Sequence, residues 1–215
     1  MAGSGGGRRV AGVKTLGLVL VAALVVAGCG PRVAPVPAVA RQQVPRSAPN
    51  APWVGRGRLE VVTPTGRRIS CTAIVRALGT GTVRAAFLSD EGIELVEVEG
   101  GPGSATVTKA IPDLTSAAPH LARLIAQAYG GAPVEVRTWD GDVLVGRAGG
   151  EQRWYGGDPV LLRAVTGDGL DLAIEDWRQL GGELLAYEVR AEGPLGLTIS
   201  VHLTSVELRA APKAP

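Results

Sequence analysis

The sequence predicts a mainly β (α+β) protein, an antiparallel sheet of many short strands with one helix midway. Three observations carry that expectation. Apolar and polar residues alternate with period two through most of the chain after residue 52. Gly-Gly and Asp-Gly signals interrupt these runs at short intervals. A single stretch, 115–131, places apolar residues at helical spacing. Hydrophobic residues make up 46% of the 215 but aromatics only 4%, so the core must be built from Val, Leu, Ile and Ala. The 31 Gly and 15 Pro fit many turns and a flexible segment.

The chain opens on a targeting segment. Arg8, Arg9 and Lys14 form a positive region without acids, and Leu16–Val26 an apolar run too short for a bilayer span, which needs about 20 residues. Leu24-Val25-Val26-Ala27-Gly28-Cys29 closes it with small residues before a cysteine, and resembles the lipobox of bacterial lipoprotein precursors. The resemblance implies cleavage between Gly28 and Cys29 and acylation of the Cys29 sulfur with palmitate-type chains. An uncleaved anchor is the alternative. Arg8-Arg9 lacks the rest of a twin-arginine motif, so Sec export is expected. Gly30, rather than Asp, follows the cysteine, which by the same resemblance favours the outer over the inner membrane. The expected divisions are a signal peptide (1–28), a lipidated Cys with a Pro-rich tether (29–52), a β domain (53–210) and a disordered tail (211–215).

Charge excludes one class of partner. Removing residues 1–28 takes away three basic residues and no acid, so the formal charge falls from +2 to −1. Nucleic acid binding needs a clustered surplus of Lys and Arg, and none remains. Two cysteines allow at most one bridge, Cys29–Cys71, and none if Cys29 is a thioether. Between Gly30 and Pro52 lie Pro31, Pro35, Pro37, Pro45, Pro49 and Pro52, a density that favours extended polyproline II. The expectation is a poorly placed spacer reaching about 60 Å.

The domain begins with alternation at Leu59 and Val61 and a Pro64-Thr65-Gly66 turn. Ile69, Cys71, Ala73 and Val75 then share a face, which makes Cys71 an inert core residue rather than a nucleophile. Val83, Ala85 and Phe87 follow, then Asp90-Glu91-Gly92 as a hairpin signal. A slip of parity at Leu95-Val96 predicts a bulge. Glu94, Glu97 and Glu99 imitate a metal site, but acids along an exposed strand without a nearby histidine read as solvated; no metal and no cofactor are expected.

After a strand over Ala105–Ile111 comes the helix. Thr115 or Ser116 is the expected cap, Pro119 sits in the first turn, Leu121, Leu124, Ile125 and Ala128 form the stripe, and Gly130-Gly131 ends it. Strands are expected at 134–139, 143–147 and 152–155, while Val160–Val165 is open between helix and strand. The Gly167-Asp168-Gly169 turn, with no helix after it, is not a phosphate loop. Strands at Leu170–Ile174 and Leu184–Arg190 follow. The last strand shows Leu195, Leu197, Ile199, Val201 and Leu203 on one face, with a bulge signal after Thr204-Ser205. His120 and His202 have no Ser, Cys or acid at a catalytic spacing, so no enzyme activity is expected.

Together, the lipobox, the opening Trp53-Val54-Gly55-Arg56-Gly57-Arg58-Leu59, the strands with one midway helix and the ending Glu175-Asp176-Trp177 through Leu195–Leu208 resemble the LolA/LolB-like superfamily of periplasmic lipoprotein carriers and receptors. That resemblance implies a strongly curved, incompletely closed antiparallel sheet, a half-barrel, with a helix packed at the concave side. It also implies a membrane-anchored envelope protein that holds a lipid or lipoprotein acyl chain. Val75, Val83, Phe87, Leu121, Leu124 and Ile125 are the candidate cavity lining; short residues on that face leave room for a guest, or the helix stripe fills it. Receptor members carry more aromatic residues than this chain and present an apolar residue on a loop, for which 88–92 and 100–103 are the nearest sites. The competing function is a structural lipoprotein that offers a sheet edge to an envelope assembly.

Overall fold

The computed structural model describes residues 31–46, 51–79, 81–131, 135–167 and 169–209. The leader, the Gly28/Cys29 cleavage and lipidation site and the tail from 210 lie outside the described residues. The strands are β1 (Trp53–Val62), β2 (Arg68–Ala77), β3 (Val83–Leu88), β4 (Glu94–Gly101), β5 (Ser104–Ala110), β6 (Val136–Asp140), β7 (Val143–Ala148), β8 (Glu151–Gly156), β9 (Leu161–Thr166), β10 (Asp171–Leu180), β11 (Glu183–Glu192) and β12 (Thr198–Leu208). They form one antiparallel sheet in the order β5-β4-β3-β2-β1-β12-β11-β10-β9-β8-β7-β6. Within β1–β5 and within β6–β12 each strand pairs with its chain neighbours, β1 pairs with β12, and the sheet is left unclosed between β5 and β6. The helix α1 (Ala118–Tyr129) lies on the connection across that gap.

The sheet must curl, and α1 shows why. The helix packs against β3, β4 and β5, and also against β11. Five strand steps separate β4 from β11. Flat, they would span roughly 24 Å at 4.8 Å per step, about twice the width of a helix with its side chains. The apolar inner residues of β1–β4, β11 and β12 join the α1 stripe in one buried cluster. Gly100 lets the helix sit this close: a Cβ there would stand 2.6 Å from the Ala126 Cβ. The expected mainly β fold with an open, curved antiparallel sheet and one helix is therefore observed.

Both predicted bulges are present. Phe87 pairs with Val96 and Leu88 with Glu94, leaving Leu95 extra. Leu203 pairs with Gly57 and Ser205 with Arg56, leaving Thr204 extra, and its hydroxyl donates to the Arg56 carbonyl at 3.2 Å. Residues 161–166 resolve to strand.

Three local expectations need correction. Neither Thr115 nor Ser116 caps α1: the chain enters through a 3-10 turn at Pro112–Leu114, and the Thr115 hydroxyl turns back to the Ile111 carbonyl at 3.0 Å. Leu195 is not on the inner face of β12. Pro194-Leu195-Gly196 makes a tight turn closed by the Gly193 N–H on the Leu197 carbonyl at 2.8 Å, which leaves Leu195 at φ 58° and 87% exposed.

The third concerns the Pro-rich segment. Residues 33–46 are not a free spacer but a strap packed on the sheet. Val36, just before a 3-10 turn at Ala38–Ala40, and Ala40, within it, are buried in the core cluster. The Val36 N–H donates to the Asp142 carbonyl at 2.7 Å. Arg46 adds a short parallel bridge to β9, donating to the Val160 carbonyl at 3.1 Å and accepting from the Leu162 N–H at 2.9 Å. Gln43 donates to Asp158 at 3.1 Å and accepts from the Val160 N–H at 3.3 Å. Arg41 pairs with Asp142 and lies 5.1 Å over the Trp139 ring. A side chain on Gly156 would collide with the Ala34 carbonyl. Proline density forbids regular ladders but not docking, because an extended chain carries its remaining N–H groups free to bond elsewhere.

Candidate ligand cleft

The six residues expected to line a cavity come together. Val75 and the pair Val83 and Phe87 project from β2 and β3, and Leu121, Leu124 and Ile125 from α1, each 0–1% exposed. They meet in the core cluster, and none lines either of the two surface clefts described next. The short residues of β2 and β3 and the helix stripe are buried in that one cluster.

The opening of interest lies at the seam where the sheet fails to close. It is a cleft of about 490 Å³ bounded by the β4–β5 turn (Gly101–Ala105), by Arg123, Ala126 and Gln127 of α1, by Glu135, and by the β7–β8 turn with Glu151 and Arg153. A second groove runs along the outer face past Arg56, Arg76 and Arg209, with Glu207 held 3.4 Å from Arg209.

What distinguishes the seam cleft is buried polarity. Gln127 and Arg153 are the buried polar side chains among the described residues, at 3% and 2% exposure. Period two along β8 puts Glu151, Arg153 and Tyr155 on one side and Trp154 on the other, where its indole donates to the Thr166 hydroxyl at 3.2 Å. Arg153 stands opposite Gly146 on β7. The Glu151 carboxylate accepts from Gln127 at 2.6 Å and, more weakly, from Arg153 Nη2 at 3.4 Å. Arg153 Nε and Nη1 and Gln127 Oε1 have no hydrogen-bond partner among the described residues. Unmade bonds on a buried charge are costly, and native structures rarely keep them without a reason. Burial pushes the Tyr155 phenol up, so beside Arg153 it stays a neutral hydroxyl. A charged residue on an inward parity of β8 was the signal for this site in the sequence.

The remaining candidates are solvated or inert. Glu94 pairs with Lys109 at 3.0 Å and Glu99 with Arg84 at 2.7 Å. Among the described residues no group of three His, Cys, Asp or Glu could hold a metal. Cys71 is 2% exposed in the core, and burial, aided by the Asp90 charge, pushes its thiol up to about 11. The pKa of His120 is lowered by burial and by Arg123, while His202 stands 3.9 Å from Glu188 on the outer face. Of the two loops considered for an exposed apolar residue, the first is followed by Ile93 at 63% exposure, and the most exposed large apolar residue among the described residues is Leu195.

No family model matches this sequence, and no curated protein matches it either. Solved structures do. A LolA superfamily protein from Nitrosomonas europaea superposes with a TM-score of 0.52 at 12% identity, over 76% of this chain and 89% of that one. Two others fall below 0.5: a domain named for outer membrane lipoprotein sorting from Vibrio parahaemolyticus (0.49, 6% identity, 77% and 88%) and a DUF1329 family protein from Desulfovibrio piger (0.46, 9%, 76% and 88%). The fold assignment rests on the first of these. An unclosed antiparallel sheet wrapped on one helix, with this superposition, gives the chain the fold of the LolA superfamily.

Proposed function

We propose that the chain is an envelope lipoprotein, cut before Cys29 and acylated there, whose domain holds a lipid or lipoprotein acyl chain in the trough that α1 fills. It acts as a non-enzymatic carrier at the periplasmic face of a membrane, with the outer membrane favoured. The observation that supports this reading is the way the sheet is completed. One amphipathic helix closes an unclosed apolar sheet, and it bridges the seam to β8 through the Gln127–Glu151 hydrogen bond. Moving that helix outward would uncover Val75, Val83 and Phe87 together with its own stripe. An acyl chain could replace those contacts at about 0.8 kcal/mol per buried CH₂. Leu195, exposed on the β11–β12 turn, is the residue that would touch cargo or membrane first. Because residues 33–46 are docked, only residues 30–32 would separate the acylated Cys29 from the strap, a short leash in place of a long one.

The test is native mass spectrometry of full-length protein extracted from bacterial envelope. A diacylglycerol-modified Cys29 as N-terminus and a co-purifying lipid lost on unfolding are expected. A mature chain that keeps residues 1–28 and carries no acyl group refutes the anchor; an acylated chain reproducibly empty at high yield refutes the carrier. A second reading, an assembly protein using a sheet edge, draws on β6, whose five residues are all exposed, with Val136 and Trp139 among them. Cross-linking from Trp139 to an envelope protein in the intact cell would favour it.

A further inference from the structure

We propose that the seam cleft reads a neutral amide group on the ligand, with Arg153 as hydrogen-bond donor and Gln127 as acceptor. The inference rests on the carrier reading for the apolar part of that ligand. The cleft abuts the buried stripe through α1, since Ala126 and Gln127 line it while Leu124, Ile125 and Ala128 face the core. A molecule with its chain along the stripe would therefore bring its polar end to this opening.

The chemistry of that end follows from what the cleft lacks. Arg153 and Glu151 compensate each other in charge, so a full anion would gain the guanidinium only by approaching the Glu151 carboxylate as well. The unmet valences are of both kinds, donors at Arg153 Nε and Nη1 and an acceptor at Gln127 Oε1, all three buried from water in this structure and reached by a ligand as α1 moves outward. A carboxylate or an ester offers acceptors alone, and an ammonium offers donors alone. An amide offers a carbonyl and an N–H on adjacent atoms, pointing opposite ways, and so can meet Arg153 and Gln127 at once. An acylated peptide end carries such a group. A lone hydroxyl has both functions on one atom and is the nearest rival.

Three probes with the same tail separate these cases in calorimetric titration of the full-length protein: N-palmitoyl-glycinamide, palmitate and 1-palmitoylglycerol. The amide is expected to bind tightest. Arg153→Met and Gln127→Met, chosen to keep volume, should each weaken the amide by about tenfold, the scale of one well-placed hydrogen bond. Both should leave palmitate affinity unchanged. Circular dichroism establishes folding of each variant, and Gln127→Met alone decides the matter if Arg153→Met does not fold. Palmitate or palmitoylglycerol binding as tightly as the amide, with the same dependence on Arg153, overturns the amide assignment in favour of an anion or hydroxyl site. All three binding without regard to Arg153 and Gln127 removes the cleft from recognition and leaves the carrier intact. Binding of none refutes both.

Discussion

Strands β1–β5 and strands β6–β9 flank the same seam and are completed in different ways. The first flank is closed by α1, whose stripe meets Val75, Val83 and Phe87 at 0–1% exposure. Among the described residues the buried side chains facing inward there are those of Val, Ala, Leu, Ile, Cys and aromatic residues, and the Gln127–Glu151 hydrogen bond runs from α1 to the other flank. The second flank is closed by the strap 33–46, drawn from far earlier in the chain. Its inner side carries Glu151 and Arg153, and it borders the cleft. An apolar concave surface can be finished by any helix with a matching stripe. One that holds a buried arginine needs specific polar neighbours, and here they remain incomplete.

The largest test of this contrast is Phe87→Ala. Phe87 is fully buried under α1, and truncation should cost about 3–5 kcal/mol, read as a fall in the guanidinium midpoint with little change in slope. Trp139→Ala on β6, 43% exposed beneath Arg41, should cost about 1 kcal/mol or less. Equal losses at the two positions would abolish the distinction between a packed flank and an open one.

The strap supplies the next largest effect. Gln43→Ala removes a donor to Asp158 and an acceptor for the Val160 N–H, a loss of about 1–2 kcal/mol. The change should be local. Hydrogen exchange should speed up at the Leu162 amide, which donates to the Arg46 carbonyl, and stay constant in α1 and β2. Loosening that spreads to α1 would mean that the flanks are one cooperative unit.

The difference between the flanks also governs how much the residues alone foretold. β2, β3 and α1 were legible because a packed interface writes itself as strict period two against a helical stripe, and the bulges at Leu95 and Thr204 were legible because an extra residue flips parity. The strap was not, since Val36, Ala40 and Arg46 dock without any periodicity and proline density suggested chain with nothing to hold it. Leu195 misled because Leu195, Leu197 and Ile199 keep the alternation across a turn that breaks it. The cleft escaped for a related reason. Gln127 and Glu151 are distant in sequence, and although the parity of β8 turns Arg153 inward, only the fold brings the three side chains together.

Cys71 gives the smallest and finest probe, a titrating group inside the packed flank. It lies on β2 opposite Leu59, with its thiol pushed up to about 11 by burial first and by Asp90 second. The folded state therefore keeps the proton where the unfolded chain, with a thiol pKa near 8.5, has released it. Above that value the unfolded state binds fewer protons than the native one, so stability falls as pH rises, and the fall ends once the native thiol also ionises near 11. The expected loss is on the order of 3 kcal/mol between roughly pH 8.5 and 11. Cys71→Ala should flatten that part of the curve, leaving the contribution of the Tyr129 phenol, also raised by burial, at the alkaline end. Native protein should likewise resist a thiol-specific reagent at pH 8 until denaturant is added. Fast labelling of the folded protein would show water reaching the inner face of β2, and the first flank would then be as open as the second.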